Sequence, residues 1–353
     1  MKKAGIALTG IAIVAAVLYA VRAPLGTALM GHVLARNMTS SLLDTLPDGL
    51  TVMLCGAGGP LPDPVRSGPC VAVVAGDNLV VVDAGTGGAR NLNPLGLPVG
   101  AVDAIFITHF HSDHIDGLGE LATLRWASGA HTEPLPVHGP EGIEEVVAGF
   151  NQAYARDAVY RHAHHGDTVA PLSGHGLQAV THPQPADGEA VTVYDNDGLT
   201  VQMIRVHHDP VDPAVAYLFN YKGRSALISG DTVKSANLQH FAQGVDLLVH
   251  EGLSQRLVQQ MNRAAVRAGN EIVAKITTDI PDYHTTPVEA AEIARDANVG
   301  HLLFYHVVPP TPLPGLKAAW LNGVDDVFER YTLGENGTGF ILPADSTDIL
   351  PLD

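Results

Sequence analysis

The segment 108–117, with the sequence THFHSDHIDG, places four side chains that can bind metal ions within six positions. The four are His109, His111, Asp113 and His114. The first two stand just after a predicted strand at 102–107, so an extended chain projects both imidazoles from one face. The other two follow where the chain turns into a predicted helix, and we expect them to face a second, neighbouring ion. Imidazole and carboxylate ligands without a thiolate favour zinc, with manganese or iron(II) as alternatives, so the segment predicts a dinuclear metal site.

More side chains with ligand atoms stand at the ends of later predicted strands. They are His207, His208, Asp231, His250, Glu251 and His306. Ligand sites in α/β sheets lie outside the carboxyl ends of the strands, which is where these residues fall. A further candidate, His284, precedes a helix predicted to begin at Pro287. The pattern predicts that these residues join the early histidines around one pair of ions.

The composition limits the classes of partner that we expect. The chain has 353 residues, 46% of them hydrophobic, which is ample for a packed core. It carries 37 acidic and 20 basic residues, for a formal net charge of −17. Such a surface repels polyanions unless a basic patch overrides the repulsion, and the basic residues are scattered. We therefore expect a small molecule, and not a nucleic acid, as the partner; the sequence leaves the oligomeric state open.

The N-terminus differs in composition from the rest of the chain. Lys2 and Lys3 precede an uncharged stretch at 5–21, which is short for a membrane span and sufficient for a signal-peptide core. Residues 1–23 are predicted to be a signal anchor or signal peptide, 24–48 a helical stalk, and 49–353 the hydrolase domain. An uncleaved anchor with cytoplasmic lysines would export the enzyme body to a periplasmic or extracytoplasmic location. The alternative is a cytosolic enzyme with an apolar N-terminal helix.

Cys55 and Cys70 are the two cysteines of the chain. In an exported protein they could form one disulfide, and two buried free thiols are the alternative.

Strand and helix signals are mixed along the chain, with both hairpins and crossovers, which predicts a layered α/β fold. Lys222 and Gly223 lie between two apolar runs and predict a hairpin turn. The segment 160–197 is rich in His, Gly, Pro and Asp, and we expect an irregular, functional loop there.

Taken together, the motifs resemble those of the metallo-β-lactamase fold superfamily, in the branch that contains tRNase Z, phosphodiesterases and arylsulfatase-like proteins. The resemblance covers about residues 50–310. The segments that carry it are HFHSDH at 109–114, HDPVDPA at 208–214, SGDT at 229–232, HEG at 250–252, HTTP at 284–287 and YH at 305–306. The resemblance implies a four-layer αβ/βα sandwich, here preceded by an N-terminal hydrophobic helix.

The resemblance also implies two Zn²⁺ ions per chain and assigns their ligands. The ligands implied are His109, His111 and His208 for one ion, Asp113, His114 and His306 for the second, and Asp231 as a bridge between them. Asp83 is expected to support the histidines by hydrogen bonding, and Asp116 could do the same or cap its helix. His207 is expected to lie outside the ligand set.

The resemblance further implies a hydrolase that uses hydroxide activated by two ions. Asp231 would assist the hydroxide, and His284, paired with Glu251, would act as general acid for the leaving group. In the alternative, Thr285 or Thr286 caps a helix and His284 is incidental. Phosphodiesters are the expected substrates, with aryl sulfates as a further class. The alternatives are an acyl hydrolase (lactonase, thioesterase or β-lactamase-like), a tRNase Z-like endoribonuclease, and a binding module without catalysis.

Overall fold

A computed structural model describes residues 2–39 and 41–352, and the side chains of all of these except residues 2–14, 16, 36, 37 and 39. The chain divides into two compact units, Met1–Thr45 and Leu46–Asp353. In the first unit, one helix runs through most of the length, and its described stretch Val17–Ala35 is apolar and long enough to cross a membrane. A signal sequence has the same properties. The anchor prediction mainly rests on residues 5–21, and the side chains of 5–14 and 16 lie outside those that the structure describes. The boundaries at 23 and 48 stay predictions.

The bounds of the regular elements follow, in chain order. The α-helices are α1 (Lys2–Thr39), α2 (Gly88–Leu92), α3 (Ser112–Ile115), α4 (Leu118–Gly129), α5 (Ile143–His165), α6 (Ala236–Phe241), α7 (Gln255–Ala268), α8 (Glu271–Asp279), α9 (Pro287–Asp296) and α10 (Leu316–Trp320). The strands are β1 (Gly49–Gly56), β2 (Cys70–Ala75), β3 (Asn78–Val82), β4 (Ala104–Phe106), β5 (Leu135–Pro140), β6 (Leu177–His182), β7 (Ala190–Asn196), β8 (Leu199–Arg205), β9 (Val215–Tyr221), β10 (Arg224–Ile228), β11 (Leu247–Leu253), β12 (His301–Val308), β13 (Tyr331–Leu333), β14 (Gly339–Pro343) and β15 (Leu350–Pro351). Short 3₁₀ helices lie at Val99–Ala101, Leu172–Gly174 and Ile280–Tyr283.

The strands of the second unit form two sheets that pack face to face. Their orders are β15-β14-β1-β2-β3-β4-β5-β6 and β13-β12-β11-β10-β9-β8-β7. The core between them is built from apolar side chains of both sheets, such as Val52 and Val73 from one and Met203 and Phe219 from the other. Helices α4 and α5 contact the first sheet, and α6 and α9 contact the second. The predicted four-layer αβ/βα sandwich is confirmed.

Parallel strand pairs bring the predicted site residues to one edge. Strands β3 and β4 are parallel neighbours, and so are β10, β11 and β12, whose carboxyl ends therefore lie side by side. Every residue of β3 and β11 is buried, as expected for strands covered on both faces. Asp83 follows β3, His109 follows β4, and Asp231 follows β10. The sheet edge thus gathers residues that are far apart in sequence.

The expectation of an irregular loop at 160–197 is wrong. Helix α5 continues to His165, and β6 and β7 form the edge strands of the two sheets. Edge strands are partly exposed and tolerate polar residues, so their sequences lack the apolar runs of central strands. The hairpin between β9 and β10 agrees with its prediction, because Lys222 and Gly223 both have positive φ angles (45° and 78°), as a type I′ turn requires.

A disulfide joins Cys55 in β1 to Cys70 in β2. Of the two alternatives that the sequence left open, the structure therefore has the cross-link.

Candidate metal centre

The structure brings the implied ligands together in two adjoining groups. Within each group the ligand atoms all lie within 4.8 Å of one another. One group is His109, His111, His208 and Asp231, and the other is Asp113, His114 and His306. A third combination within the same limit is Asp231, His284 and His306. Residues from five separate parts of the chain thus meet at one end of the two sheets.

In the first group, three imidazole nitrogens nearly touch. His111 Nδ1 lies 3.1 Å from His109 Nε2 and 3.3 Å from His208 Nε2. A tetrahedral ion 2.0–2.1 Å from each nitrogen would hold them about 3.3 Å apart. Burial lowers the pKa of all three rings, that of His109 well below its usual range, and this favours the neutral form that binds metals.

Asp231 lies between the two groups. Its Oδ2 is 3.3 Å from His306 Nε2, 3.4 Å from His114 Nε2 and 3.8–3.9 Å from Nε2 of the first-group histidines His109 and His208. Burial alone would raise the pKa of its carboxyl, but the charges of His306 and His114 hold that pKa well below its usual range. The carboxylate is therefore ionised and placed to contact ions in both groups.

Protein groups outside the cluster fix the histidine rings. Asp83 Oδ2 lies 2.8 Å from His114 Nδ1, and Asp83 also accepts hydrogen bonds from the backbone and hydroxyl of Thr108. The Tyr283 carbonyl lies 2.8 Å from His208 Nδ1. Each Nδ1 contact leaves Nε2 of that ring facing the cluster, which is the usual support for metal-ligating histidines. The supporting role expected of Asp83 is what its contacts show, whereas Asp116 instead accepts from Thr86.

The backbone at the site adopts uncommon conformations. Asp83 and His306 have positive φ angles of 57° and 45°, which non-glycine residues rarely adopt. Gly230 also has a positive φ (61°), so it makes the turn into Asp231. A Cβ at Gly59 would lie 2.9 Å from His306 Cε1, so this position needs glycine to make room for the ring. Strain of this kind collects at functional sites.

The donor set fits divalent cations. Asp231 Oδ1 is buried and has no hydrogen-bond partner within the described part of the chain. Buried carboxylate oxygens are rarely left unpaired, and a cation would satisfy this one. Burial lowers the pKa of His114, but the charges of Asp231 and Asp83 outweigh it and raise that pKa well above its usual range. The carboxylates therefore favour positive charge at this point.

His284 and Glu251 form a buried pair beside the cluster. His284 Nδ1 lies 3.1 Å from Glu251 Oε1, which also accepts from the backbone N–H of Thr285. Burial lowers the pKa of His284, but the charge of Glu251 and its hydrogen bond outweigh it and raise the pKa to about 9. Thr286 caps α9 in a capping box with Glu289. The predicted cap and the predicted pair are both present, so capping does not make His284 incidental.

Two other histidines lie outside the cluster. His207 is half-exposed and contacts Asp187 at 3.2 Å. His250 is buried, and its Nδ1 contacts the Glu251 carbonyl. Thr108 and Tyr283 were not assigned a role from the sequence. Their adjacency to His109 and His284 is the one signal that could have pointed to them.

Comparisons with known proteins agree with the geometry. The sequence pattern of the "Metallo-beta-lactamase superfamily" matches residues 63–322. The chain is 35% identical over 275 residues to "Ribonuclease Z" of Mycobacterium bovis, which covers 77% of this chain and 90% of that protein. Its structure is similar to that of human tRNase Z, short form (TM-score 0.58, 21% identity, covering 83% of this chain and 99% of that one). It is equally similar to a metallo-beta-lactamase fold protein from Bacillus subtilis (TM-score 0.58, 18% identity, covering 83% and 99%).

The expectation against a nucleic-acid partner is wrong. Relatives that match over most of this chain at about 35% identity are named ribonuclease Z, which contradicts that expectation. The error came from reading a net charge of −17 as a property of the site. A site that holds cations carries positive charge locally, whatever the sum over the surface.

Asp83→Asn should weaken zinc binding without removing any proposed ligand. The change removes the carboxylate charge that orients His114, and losses of such support cost roughly 10–100-fold in metal affinity. Competition with a fluorescent chelator measures the affinity of each variant. Asp116→Asn is the matched control, because Asp116 lies in the same motif as His114 but bonds to Thr86. This variant should bind zinc as tightly as the wild type does. Equal affinities in all three proteins would contradict the role of Asp83.

Proposed function

The chain belongs to the metallo-beta-lactamase superfamily, and from this premise we propose that it is a metal-dependent hydrolase of phosphodiester bonds, with RNA as the substrate class. The observation that carries the proposal is the convergence of two ligand groups on the Asp231 carboxylate. The 35% identity to ribonuclease Z over most of the chain supports the choice of RNA.

We propose two zinc ions, with manganese or iron(II) as alternatives. The residues that would hold them are His109, His111 and His208 for one, Asp113, His114 and His306 for the other, and Asp231 for both. Two adjacent divalent ions lower the pKa of water and stabilise negative charge on phosphoryl oxygens.

The chain's own residues would divide the remaining work. Asp231 fixes negative charge between the groups, and Asp83 and the Tyr283 carbonyl hold rings in place. In the hydrolysis, the oxygen of a water molecule would bond to phosphorus while one proton of that water passes to solvent. The bond from phosphorus to the leaving oxygen would break, and that oxygen would take up a proton. His284 would give this proton from Nε2, because Nδ1 is held by Glu251.

The substrate class can be tested with purified full-length protein. We expect hydrolysis of a 3′-extended RNA and of bis(4-nitrophenyl) phosphate, loss of both activities with a chelator, and recovery on adding zinc. Asp231→Ala is the inactive control. An aryl sulfate, a lactone, a thioester and nitrocefin complete the panel. Faster turnover of an acyl substrate would favour the acyl-hydrolase alternative, and bound zinc without any turnover would favour a binding module.

His284→Ala should lower kcat by roughly 10²–10⁴-fold, the range typical of a lost general acid, while metal content stays at the wild-type value. The loss should be larger for an alkyl leaving group than for 4-nitrophenolate, which needs no proton. Rates for the two substrates and metal analysis check this. His207→Ala, a half-exposed neighbour of the ligands, is the control. An equal loss for both leaving groups would mean that His284 acts otherwise than as an acid.

We also propose that the protein is exported and anchored by its N-terminal segment. The apolar stretch Val17–Ala35 and the Cys55–Cys70 disulfide support this, because disulfides persist mainly outside the cytosol. In its native cells the chain should sediment with membranes, be cleaved by protease added outside the cytoplasmic membrane, and show no free thiol. A cytosolic enzyme followed in parallel is the control. A soluble, protected chain with two free thiols would overturn this location.

A further inference from the structure

A cavity of about 300 Å³ opens directly onto the ligand cluster. Asp231 and His284 belong to its lining. The rest of the lining is mainly apolar, with the side chains of Leu61, Leu253, Ile276, Ile280 and Val308 and the ring of Tyr283, and is called the apolar wall. A group attached to a phosphorus atom at the cluster would therefore meet an apolar surface.

The apolar wall is part of the folded structure. Leu253, Val258 and Val308 form a buried cluster of their own, and Leu61 and Ile280 pack against it. The wall is thus the outer face of a small core, held between β11, β12 and the helices that follow β11. A surface supported in this way keeps its shape without a ligand.

Ile276 at the mouth of the cavity is 47% exposed. When a ligand covers an apolar side chain in this position, apolar surface is removed from water, which favours binding. In the described residues, neither lysine nor arginine lines the cavity, so the wall offers nothing to a second phosphate. Tyr283 adds an aromatic ring, which packs well against other rings.

A second cavity next to the cluster has a more acidic lining. This cavity of about 500 Å³ is lined by Asp209, Asp279 and Asp282, and His111 and Tyr283 line both cavities. The two ester groups of a phosphodiester bound at the cluster would therefore meet different surroundings, one apolar and one acidic.

We propose that the apolar cavity is a subsite that selects one uncharged, ring-sized ester group, so that a phosphodiester with such a group binds more tightly than one with only small alkyl groups. This inference rests on the proposed function, because it takes the phosphodiester as bound at the cluster. A volume of about 300 Å³ lies at the low end of small-molecule sites, roughly 300–1,000 Å³, which is enough for a phenyl group with its phosphoryl oxygens.

The test compares diphenyl phosphate with dimethyl phosphate, two monoanions that differ in their ester groups. Dissociation constants are measured by calorimetry on the zinc-loaded full chain, so the result does not depend on turnover. The wild type should bind diphenyl phosphate roughly tenfold more tightly, since small apolar differences in a fitted pocket reach that size. Ile276→Ser should reduce this ratio several-fold.

The control and a second variant keep the test decisive. Ile272 lies one turn earlier on α8, is 75% exposed and does not line the cavity, so Ile272→Ser should keep the wild-type ratio. Ile276→Trp should fill the cavity and reverse the preference. A ratio near one in the wild type, or one unchanged in both Ile276 variants, would overturn the subsite. Absence of diester hydrolysis with the ratio intact would instead overturn the proposed function alone.

Discussion

The site depends on one buried carboxylate, that of Asp231, held between two groups of histidines. Burying an ionised carboxylate is costly unless it is paired, and burying imidazoles around it adds further polar groups that need partners. The structure offsets this cost by placing Asp231 Oδ2 within 3.3–3.9 Å of four imidazole nitrogens. The parallel order of β10, β11 and β12 makes the arrangement possible, because it sets three strand ends side by side.

Around this carboxylate, two residues adopt strained backbone conformations, and these conformations orient their side chains toward the site. Asp83 and His306 both adopt left-handed backbone conformations, which are less costly for Asp and His than for branched residues. In return, Asp83 reaches both Thr108 and His114, and His306 reaches Asp113. The fully buried strands on either side supply the stability against which such strain can persist. The outcome is that the rings of His114 and His208 are held through Nδ1, by Asp83 and by the Tyr283 carbonyl.

The sequence predicted the parts of this arrangement that depend on local spacing. The HFHSDH segment, Asp231 and His306 could be identified because each follows an apolar run that can be recognised on its own in the sequence, although β12 continues past His306 to Val308. Edge strands β6 and β7 could not, since their pairing, and not an apolar pattern, makes them strands. Tyr283 acts through its backbone carbonyl, which any residue could supply. The apolar cavity likewise combines residues from four elements, and no stretch of sequence contains it.

The wrong expectation about nucleic acid shows that the net charge of a chain does not predict what binds at a local site. Charges on a surface are screened over about 8 Å at physiological ionic strength, so acidic residues beyond that distance hardly affect a bound phosphate. On the proposed function, the charges that a phosphate would meet at the cluster are those of Asp83, Asp113 and Asp231 and of the bound ions. Two divalent ions would outweigh these carboxylates and leave the centre positive. A net charge of −17 therefore bears on how fast a polyanion approaches, and the local centre decides what is held there.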